Sequence, residues 1–128
     1  MLERLQMLKR EGYKVALGSA SKNARLILEK VGLMSYFDAI VDGNEVSKAK
    51  PDPEVFLMAA SLLGSKPEEC VVFEDSVAGV QAANIAHMLS VGVGEASVLH
   101  EADFLISTFE DIDDKLWHDL HATNKLNN

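Results

Sequence analysis

Two adjacent carboxylates stand near the middle of the chain, where the sequence VVFEDSVAG runs from Val71 to Gly79. Glu74 and Asp75 close an apolar run typical of a buried strand, and Ser76 opens a stretch of small residues typical of a helix. Adjacent residues of a strand point to opposite faces, but at its end both side chains can turn towards one cation. Hard oxygen ligands suit Mg²⁺, which commonly takes one or two carboxylates together with water and substrate phosphate. We therefore predict a magnesium site at Glu74 and Asp75.

A second polar segment, GSASKN, could bind an anion. Ser19 follows an apolar run, and Ser21, Lys22 and Asn23 lead into a helical pattern. Backbone N–H groups at the start of a helix lack intrahelical partners, so together with hydroxyl groups they can bind a phosphate. Ordinary capping of the helix, here by Ser21, is the alternative interpretation of the same residues.

A third polar segment, SKAKPDP, places Lys48 and Lys50 just before a helix start marked by prolines. A lysine ammonium can offset the charge of a phosphate as a point cation. The alternative is that both lysines are solvated surface residues.

Helical and strand patterns alternate along the chain, which predicts βα units and a mainly parallel sheet. Ligands of such sheets bind beyond the carboxyl ends of the strands, so the three polar segments are expected to share one edge. The predicted strands cover residues 13–18, 38–43, 69–75, 88–94 and 103–107. Helices are predicted before Gly12, from Ser21 to Gly32, from Asp52 to Gly64, from Val77 to Ala86, and around Leu116, Trp117 and Leu120.

The composition suits one domain covering residues 1–128 and excludes some classes of function. The net charge of −8 argues against nucleic acid or an anionic membrane as the main partner, but it leaves room for a small anionic substrate. The single cysteine, Cys70, fits a reducing compartment and is predicted to be a buried thiol. The N-terminus has no signal-peptide pattern, and no apolar run approaches the ~20 residues that span a bilayer. We therefore expect a soluble, cytoplasmic protein.

The order and spacing of these segments resemble the β-phosphoglucomutase branch of the haloacid dehalogenase superfamily. The resemblance extends over KVALGSASKNARLILEKVGLMSYFDAIVDGNEV, KPDPEVF, FEDSVAGVQAA and VGVG, which together cover nearly the whole chain. It implies an α/β fold with a Rossmann-like three-layer core and a mainly parallel sheet. It also implies phosphoryl transfer that uses Mg²⁺ and an aspartyl-phosphate intermediate, with a small phosphorylated sugar as substrate.

The resemblance also implies a role for each polar segment. Ser19 and the backbone N–H of Ala20 would bind the transferring phosphoryl group, and Lys50 would neutralise its charge and orient the nucleophile. Glu74 and Asp75 would serve the Mg²⁺. The residues expected near the sugar phosphate are Ser21, Lys22 and Asn23.

One motif of the family is missing from the sequence. Family members carry Asp-x-Asp-Gly after their first strand, where the first Asp is the nucleophile and the second is the general acid/base. Asp42 is followed directly by Gly43 and is better explained as a turn former. Asp111 and Asp113 precede a helical pattern and are better explained as acids at a helix start.

We therefore expect a partial core domain that lacks the nucleophile, the first and central strand, and the helical cap domain of the family. In the family's sheet, the missing strand lies between the strands that end at Ser19 and at Asp75. Because unpaired backbone in a buried position is costly, we expect either that these two strands close up or that a second chain or a missing N-terminal segment lies between them.

Three functions stay open from the sequence. The leading one is a sugar phosphomutase, favoured by the SASKN form of the loop. The second is a sugar-phosphate phosphatase on the same scaffold, since both share every residue named above. The third is a non-catalytic fragment, since no nucleophile is present in the chain.

Overall fold

The computed structural model describes residues 2–123 and confirms the alternation of helices and strands. The bounds of the helices are α1 Leu2–Arg10, α2 Ala24–Lys30, α3 Glu54–Leu63, α4 Val77–Ile85 and α5 Asp114–His121. Those of the strands are β1 Ala16–Gly18, β2 Ala39–Val41, β3 Val71–Glu74, β4 Leu89–Val93 and β5 Phe104–Ile106. The strands are shorter than predicted, because residues belong to a strand only where they pair with a neighbouring strand. For β1 and β2, only three residue pairs form.

All strand pairs are parallel, as predicted, but the strands form two separate sheets. One sheet contains β1 and β2, and the other has the order β3-β4-β5. Over residues 2–123 no ladder connects β1 to β3. These two strands therefore do not close up. The other outcome expected from the sequence, a second chain or a missing N-terminal segment between them, stays a prediction.

A cavity of about 500 Å³ lies between the two sheets. Its walls include β1 from Ala16 to Gly18 and β3 from Val71 to Glu74, and its lining is mostly apolar. Arg4 and Trp117 also line this cavity. In the part of the chain that the structure describes, Arg4 Nε and Trp117 Nε1 are the side-chain nitrogens that are buried without a hydrogen-bond partner.

The second sheet is covered by helices on both faces, which produces three layers. On one face, Val72 packs in a cluster with residues of α3 and α4, including Phe56 and Ala83. On the other face, Phe73 packs against Leu120 of α5. Neighbouring residues of β3 thus belong to different clusters, as the period of two of a strand requires.

Helix ends follow the sequence in most places. Ser76 caps α4 by accepting a hydrogen bond from the N–H of Gly79 at 3.0 Å, and Asp113 caps α5 by accepting one from Leu116 at 2.9 Å. His87 follows α4 with φ of 62°, a left-handed conformation that ends the helix. At the end of α3, Gly64 adopts φ of 68°.

Two local predictions were wrong. Ser21 does not cap α2, because α2 begins at Ala24 and its N-cap residue is Asn23, without a side-chain cap; Ser21 Oγ accepts from the N–H of Asn23 at 3.1 Å instead. Cys70 is only half-buried, and its thiol lies 3.3 Å from the carbonyl oxygen of Lys66. Burial, together with the charges of Glu69 and Glu68, raises the pKa of this thiol.

None of the helices found over residues 2–123 has both the length and the apolar character needed to cross a membrane.

Candidate active site

The loop after β1 presents the serine and amide groups predicted to bind an anion. The N–H of Ser19 donates to the carbonyl oxygen of Val41 at 2.9 Å, which fixes the start of the loop to the end of β2. Ser19 Oγ accepts from the N–H of Ser21 at 3.1 Å. The hydroxyl hydrogen of Ser19 remains available as a donor, because a hydroxyl group both donates and accepts.

Ser19 and Lys50 line the same small pocket. This pocket has a volume of about 170 Å³. Ala20 and Lys48 line it too. Its other lining residues are Gly43, Val46, Ser47, Ala49 and Val55. The structure therefore brings together two of the three predicted polar segments around a space of the size of a small anion and its water.

The remaining residues of the first segment lie outside this pocket. Ser21, Lys22 and Asn23 are exposed on the same loop, beyond Ala20. They are therefore not part of the pocket wall.

Lys50 extends from the loop before α3 to the ends of β1 and β3. Its Nζ atom lies 2.9 Å from Glu74 Oε2 and 3.4 Å from the carbonyl oxygen of Gly18. The ammonium also lies 5.0 Å from the centre of the Phe56 ring, within the range of a cation–π contact. Only 17% of the Lys50 side chain is exposed, so the alternative of a solvated surface lysine does not hold for this residue. Lys48, by contrast, is exposed.

The loop that carries Lys50 is itself held by the first turn of α3. The carboxylate of Glu54 accepts from the N–H groups of Ser47 at 2.8 Å and Lys48 at 2.9 Å, and from the Ser47 hydroxyl. The hydrogen bonds from Ser47, followed by that of the Lys48 N–H, lower the pKa of Glu54. Sequence reasoning missed this role; an acid in the first turn of a helix, six residues after a lysine, was the available signal.

Glu74 is the most constrained carboxylate of the site. Besides Lys50, it contacts the turn that follows β3: Oε1 accepts from the N–H of Asp75 at 3.1 Å and from the Ser76 hydroxyl at 3.1 Å. Its side chain is 11% exposed. Burial opposes ionisation, but the hydrogen bond and charge of Lys50, with smaller contributions from Asp75 and Ser76, outweigh it and lower the pKa of Glu74.

Gly79 provides the space for the Glu74 side chain. A Cβ atom at position 79 would lie 2.0 Å from Glu74 Cδ and 2.3 Å from Glu74 Oε2. The first turn of α4 can therefore pack over this carboxylate only if residue 79 has no side chain. The sequence shows a glycine at position 79, but its contact with Glu74 could not be predicted from the sequence.

Asp75 is exposed at the carboxyl end of β3, next to Glu74. Two carboxylates at one strand end are a donor set of hard oxygens that suits Mg²⁺, with the other positions left to water and phosphate. No group of three or more His, Cys, Asp or Glu side chains that could hold a metal occurs over residues 2–123. Glu74 and Asp75 are the residues that would hold a Mg²⁺ at this strand end.

Asp42, Asp111 and Asp113 have the structural roles expected of them. Asp42 Oδ1 accepts from the N–H of Asn44 at 2.9 Å, which forms the turn after β2. Asp111 Oδ2 accepts from the N–H of Ser107 at 3.0 Å, and Asp113 caps α5. None of the three lines the small pocket beside Ser19 and Lys50.

Comparison with known proteins identifies relatives of this chain. The chain is 39% identical over 115 residues to the β-phosphoglucomutase of Bacillus subtilis strain 168, an overlap of 90% of this chain and 51% of the relative. It is 44% identical over 84 residues to the fructose-1-phosphate phosphatase of Escherichia coli strain K12, covering 66% of this chain and 45% of that protein.

The fold also matches a solved structure. The crystal structure of β-phosphoglucomutase from Clostridium difficile superimposes with a TM-score of 0.89 at 35% identity, covering 94% of this chain and 54% of that one. The chain thus spans about half the length of the relatives it matches.

Residues 1–87 match the family of haloacid dehalogenase-like hydrolases. This match includes the Ser19 loop, Lys50 and the Glu74–Asp75 pair. The parallel α/β architecture is the Rossmann-like fold of its relatives. The chain therefore belongs to the haloacid dehalogenase-like hydrolase family, of which it represents a partial domain.

Proposed function

We propose that this chain supplies the phosphate- and Mg²⁺-binding half of a sugar phosphomutase of the β-phosphoglucomutase type. The observation that carries the proposal is the position of Lys50. Its ammonium shares a pocket with Ser19 and lies 2.9 Å from Glu74 Oε2. A hydroxyl that can donate a hydrogen bond to an anion, a positive charge and a candidate metal-binding carboxylate therefore lie together at one edge.

This arrangement suits phosphoryl transfer, which is catalysed mostly by positioning and by neutralising charge on the phosphoryl oxygens. Ser19 would donate its hydroxyl and Ala20 its N–H to those oxygens. Lys50 would add a positive charge beside them. Ser21, Lys22 and Asn23 lie further out on the loop, where they would contact the sugar phosphate.

Asp75 and Glu74 would hold the Mg²⁺, which supplies further charge neutralisation when bound. Asp75 is exposed and can offer its carboxylate directly. Glu74 would contribute an oxygen to the ion. It would also keep Lys50 in place, because its Oε2 atom accepts from the Lys50 ammonium while Oε1 accepts from the Ser76 hydroxyl.

The nucleophile must come from outside residues 2–123, and the cavity between β1 and β3 is where we place it. We propose that an extended segment from another part of the polypeptide, or from a second chain, pairs with both strands there. Support comes from the cavity of about 500 Å³ and from the unpartnered nitrogens of Arg4 and Trp117 beside it. A strand that ends next to Ser19 would bring an Asp-x-Asp-Gly motif to the site.

The proposed chemistry then has two steps. A carboxylate oxygen of that motif forms a bond to phosphorus while the bond from phosphorus to the donor oxygen breaks, and the departing oxygen takes up a proton. In a mutase, a sugar hydroxyl oxygen then forms a bond to phosphorus and loses its proton, while the bond from phosphorus to the carboxylate oxygen breaks and frees the carboxylate. In a phosphatase, water takes that place.

The mutase is favoured because the similarity to a β-phosphoglucomutase covers 90% of the chain, against 66% for the fructose-1-phosphate phosphatase. A sugar-phosphate phosphatase is the second candidate, supported by its 44% identity over the shorter overlap. A non-catalytic role of the 128 residues by themselves is the third, because they contain no Asp-x-Asp-Gly motif. For either enzyme we propose a cytoplasmic location, in keeping with the single cysteine.

The anion site can be tested on the chain itself. Inorganic phosphate, added with Mg²⁺ to ¹⁵N-labelled protein, is expected to shift the amide signals of Ala20 and Ser21. Lys50→Met should weaken this binding at least about tenfold, because it removes a half-buried ammonium that is held in the pocket wall by Glu74. Lys30→Gln, which removes a charge from the exposed end of α2, is the control. Shifts absent in the wild type would overturn the proposal.

The reaction is tested on a version extended by a segment that ends in Asp-x-Asp-Gly. β-Glucose 1-phosphate with a bisphosphate primer should be converted to its isomer; release of free phosphate instead would identify a phosphatase. Labelling by an acyl phosphate should occur in the extended protein and not in the 128-residue chain. Equal labelling of the short chain would show that its own residues supply a nucleophile.

A further inference from the structure

Arg25, in the first turn of α2, joins that helix to the end of β2. Its guanidinium forms an ion pair with Asp42 through Nη1, while Nη2 donates to the carbonyl oxygen of Ile40 at 2.8 Å. Nη2 also lies 2.6 Å from Glu45 Oε1. The planar guanidinium group thus contacts three acceptors of one short segment, which a lysine could not match.

Asp42 needs this partner. It is 4% exposed, and a buried carboxylate is costly unless it is paired and hydrogen-bonded. Its second oxygen accepts from the N–H of Asn44, and its own carbonyl oxygen accepts from the N–H of Glu45 at 3.1 Å. The turn formed by residues 42–45 therefore depends on the charge of Arg25.

This turn is packed directly against the loop that carries the anion site. The N–H of Gly43 donates to the carbonyl oxygen of Ser21 at 3.0 Å, and Asn44 Nδ2 donates to that of Lys22 at 3.2 Å. A Cβ atom at Gly43 would lie 2.2 Å from the carbonyl oxygen of Ala20, so the contact leaves no space for a side chain. The turn and the loop cannot move independently.

We infer that Arg25 is a positioning residue for the anion site. Through Asp42 and the 42–45 turn, it places the N–H groups of the Ser19–Ser21 loop relative to Lys50, and it does so without lining the pocket. The inference rests on the proposed phosphate site. It assigns a role in ligand affinity to an ion pair that otherwise contributes only to stability.

The test compares phosphate affinity in folded variants of the 128-residue chain. Arg25→Gln should raise the dissociation constant for inorganic phosphate about fivefold or more, roughly the effect of one net hydrogen bond, and shift the free amide signals of Ala20 and Ser21. Arg25→Lys should recover part of the affinity. Lys30→Gln, with the same change of charge on the same helix, should bind as the wild type does.

A second variant decides the matter if Arg25→Gln does not fold. Asn44→Ala removes the bond to Lys22 without leaving a charge buried, so it should fold and still bind phosphate more weakly. A merely structural role would lower the melting temperature of these variants and leave the affinity of the folded fraction unchanged. That result would overturn the inference alone, whereas a wild-type chain that binds no phosphate would overturn the proposed function as well.

Discussion

The ammonium of Lys50 lies 2.9 Å from Glu74 Oε2, across the edge of a space that no strand ladder bridges in the described part of the chain. Lys50 also approaches Gly18 at the end of β1, so one side chain contacts both sheets. The two halves of the candidate site are thus connected by an ion pair rather than by backbone pairing.

Replacing Lys50 with Met should destabilise the protein by about 3 kcal/mol, because it leaves the Glu74 carboxylate buried without its cation. Urea denaturation measures this free energy. Lys48→Met, at an exposed lysine of the same loop, is the control and should change stability by less than about 0.5 kcal/mol. The double variant Lys50→Met/Glu74→Gln should recover much of the loss, and a double variant as unstable as Lys50→Met would contradict the explanation.

Stability should fall in acid partly because of Glu74. Its pKa in the folded protein is lowered from the ordinary value of 4.5, so the ionised form stabilises the fold above that value. This contribution is lost as the pH falls through the lower folded pKa. Asp38 adds to the same trend, since the hydrogen bond from Lys9, with one from the Val15 N–H, lowers its pKa.

Melting temperatures from about pH 6 to about pH 3 separate these contributions. Glu74→Gln should flatten the acid limb of the curve, and Asp38→Asn serves as a comparison at an exposed pair. An acid limb of unchanged slope in Glu74→Gln would show that the Lys50 pair does not contribute to it.

Gly79→Ala should destabilise the protein by about 1–3 kcal/mol, as expected for overpacking. Helix propensity alone predicts the opposite sign, since Ala is favoured over Gly inside a helix. We expect destabilisation despite this preference, because the new Cβ atom would lie only 2.0 Å from Glu74 Cδ. In a Glu74→Ala background the same substitution should instead be neutral or stabilising. Thermal unfolding of the four proteins completes this cycle, and additive effects would exclude the proposed contact.

Asp75→Asn should remove most divalent-ion binding while leaving the fold intact, because the side chain is exposed. Mn²⁺ is a convenient probe, since it broadens the amide signals of residues near its site. We expect broadening at Ser76 in the wild type and little in the variant, with melting temperatures nearly equal. Asp114→Asn, at an exposed acid of α5, is the control. Broadening that persists in Asp75→Asn would place the ion elsewhere.

Much of the site was predictable from local sequence. Ser76 was identified as a cap because a hydroxyl before a run of small residues satisfies the free N–H groups of a helix start. The common edge of Ser19, Lys50 and Glu74 followed from the rule that parallel strands present their carboxyl ends together. Ser21 was misassigned because two polar residues, Ser21 and Asn23, lie two positions apart before the same helix, and either could be its N-cap.

The sequence by itself determined the order of helices and strands, their parallel arrangement and the residues at the strand ends. These properties depend on hydrophobic period, turn residues and caps, all of which act between neighbours in the chain. Only the tertiary structure decided that β1 and β3 stay apart, that Glu74 binds Lys50 beneath Gly79, and that Arg25 holds Asp42 against the anion loop. The two ion pairs join residues 17 positions apart (Arg25 and Asp42) and 24 positions apart (Lys50 and Glu74). They depend on how closely two backbone segments approach, which no local pattern encodes.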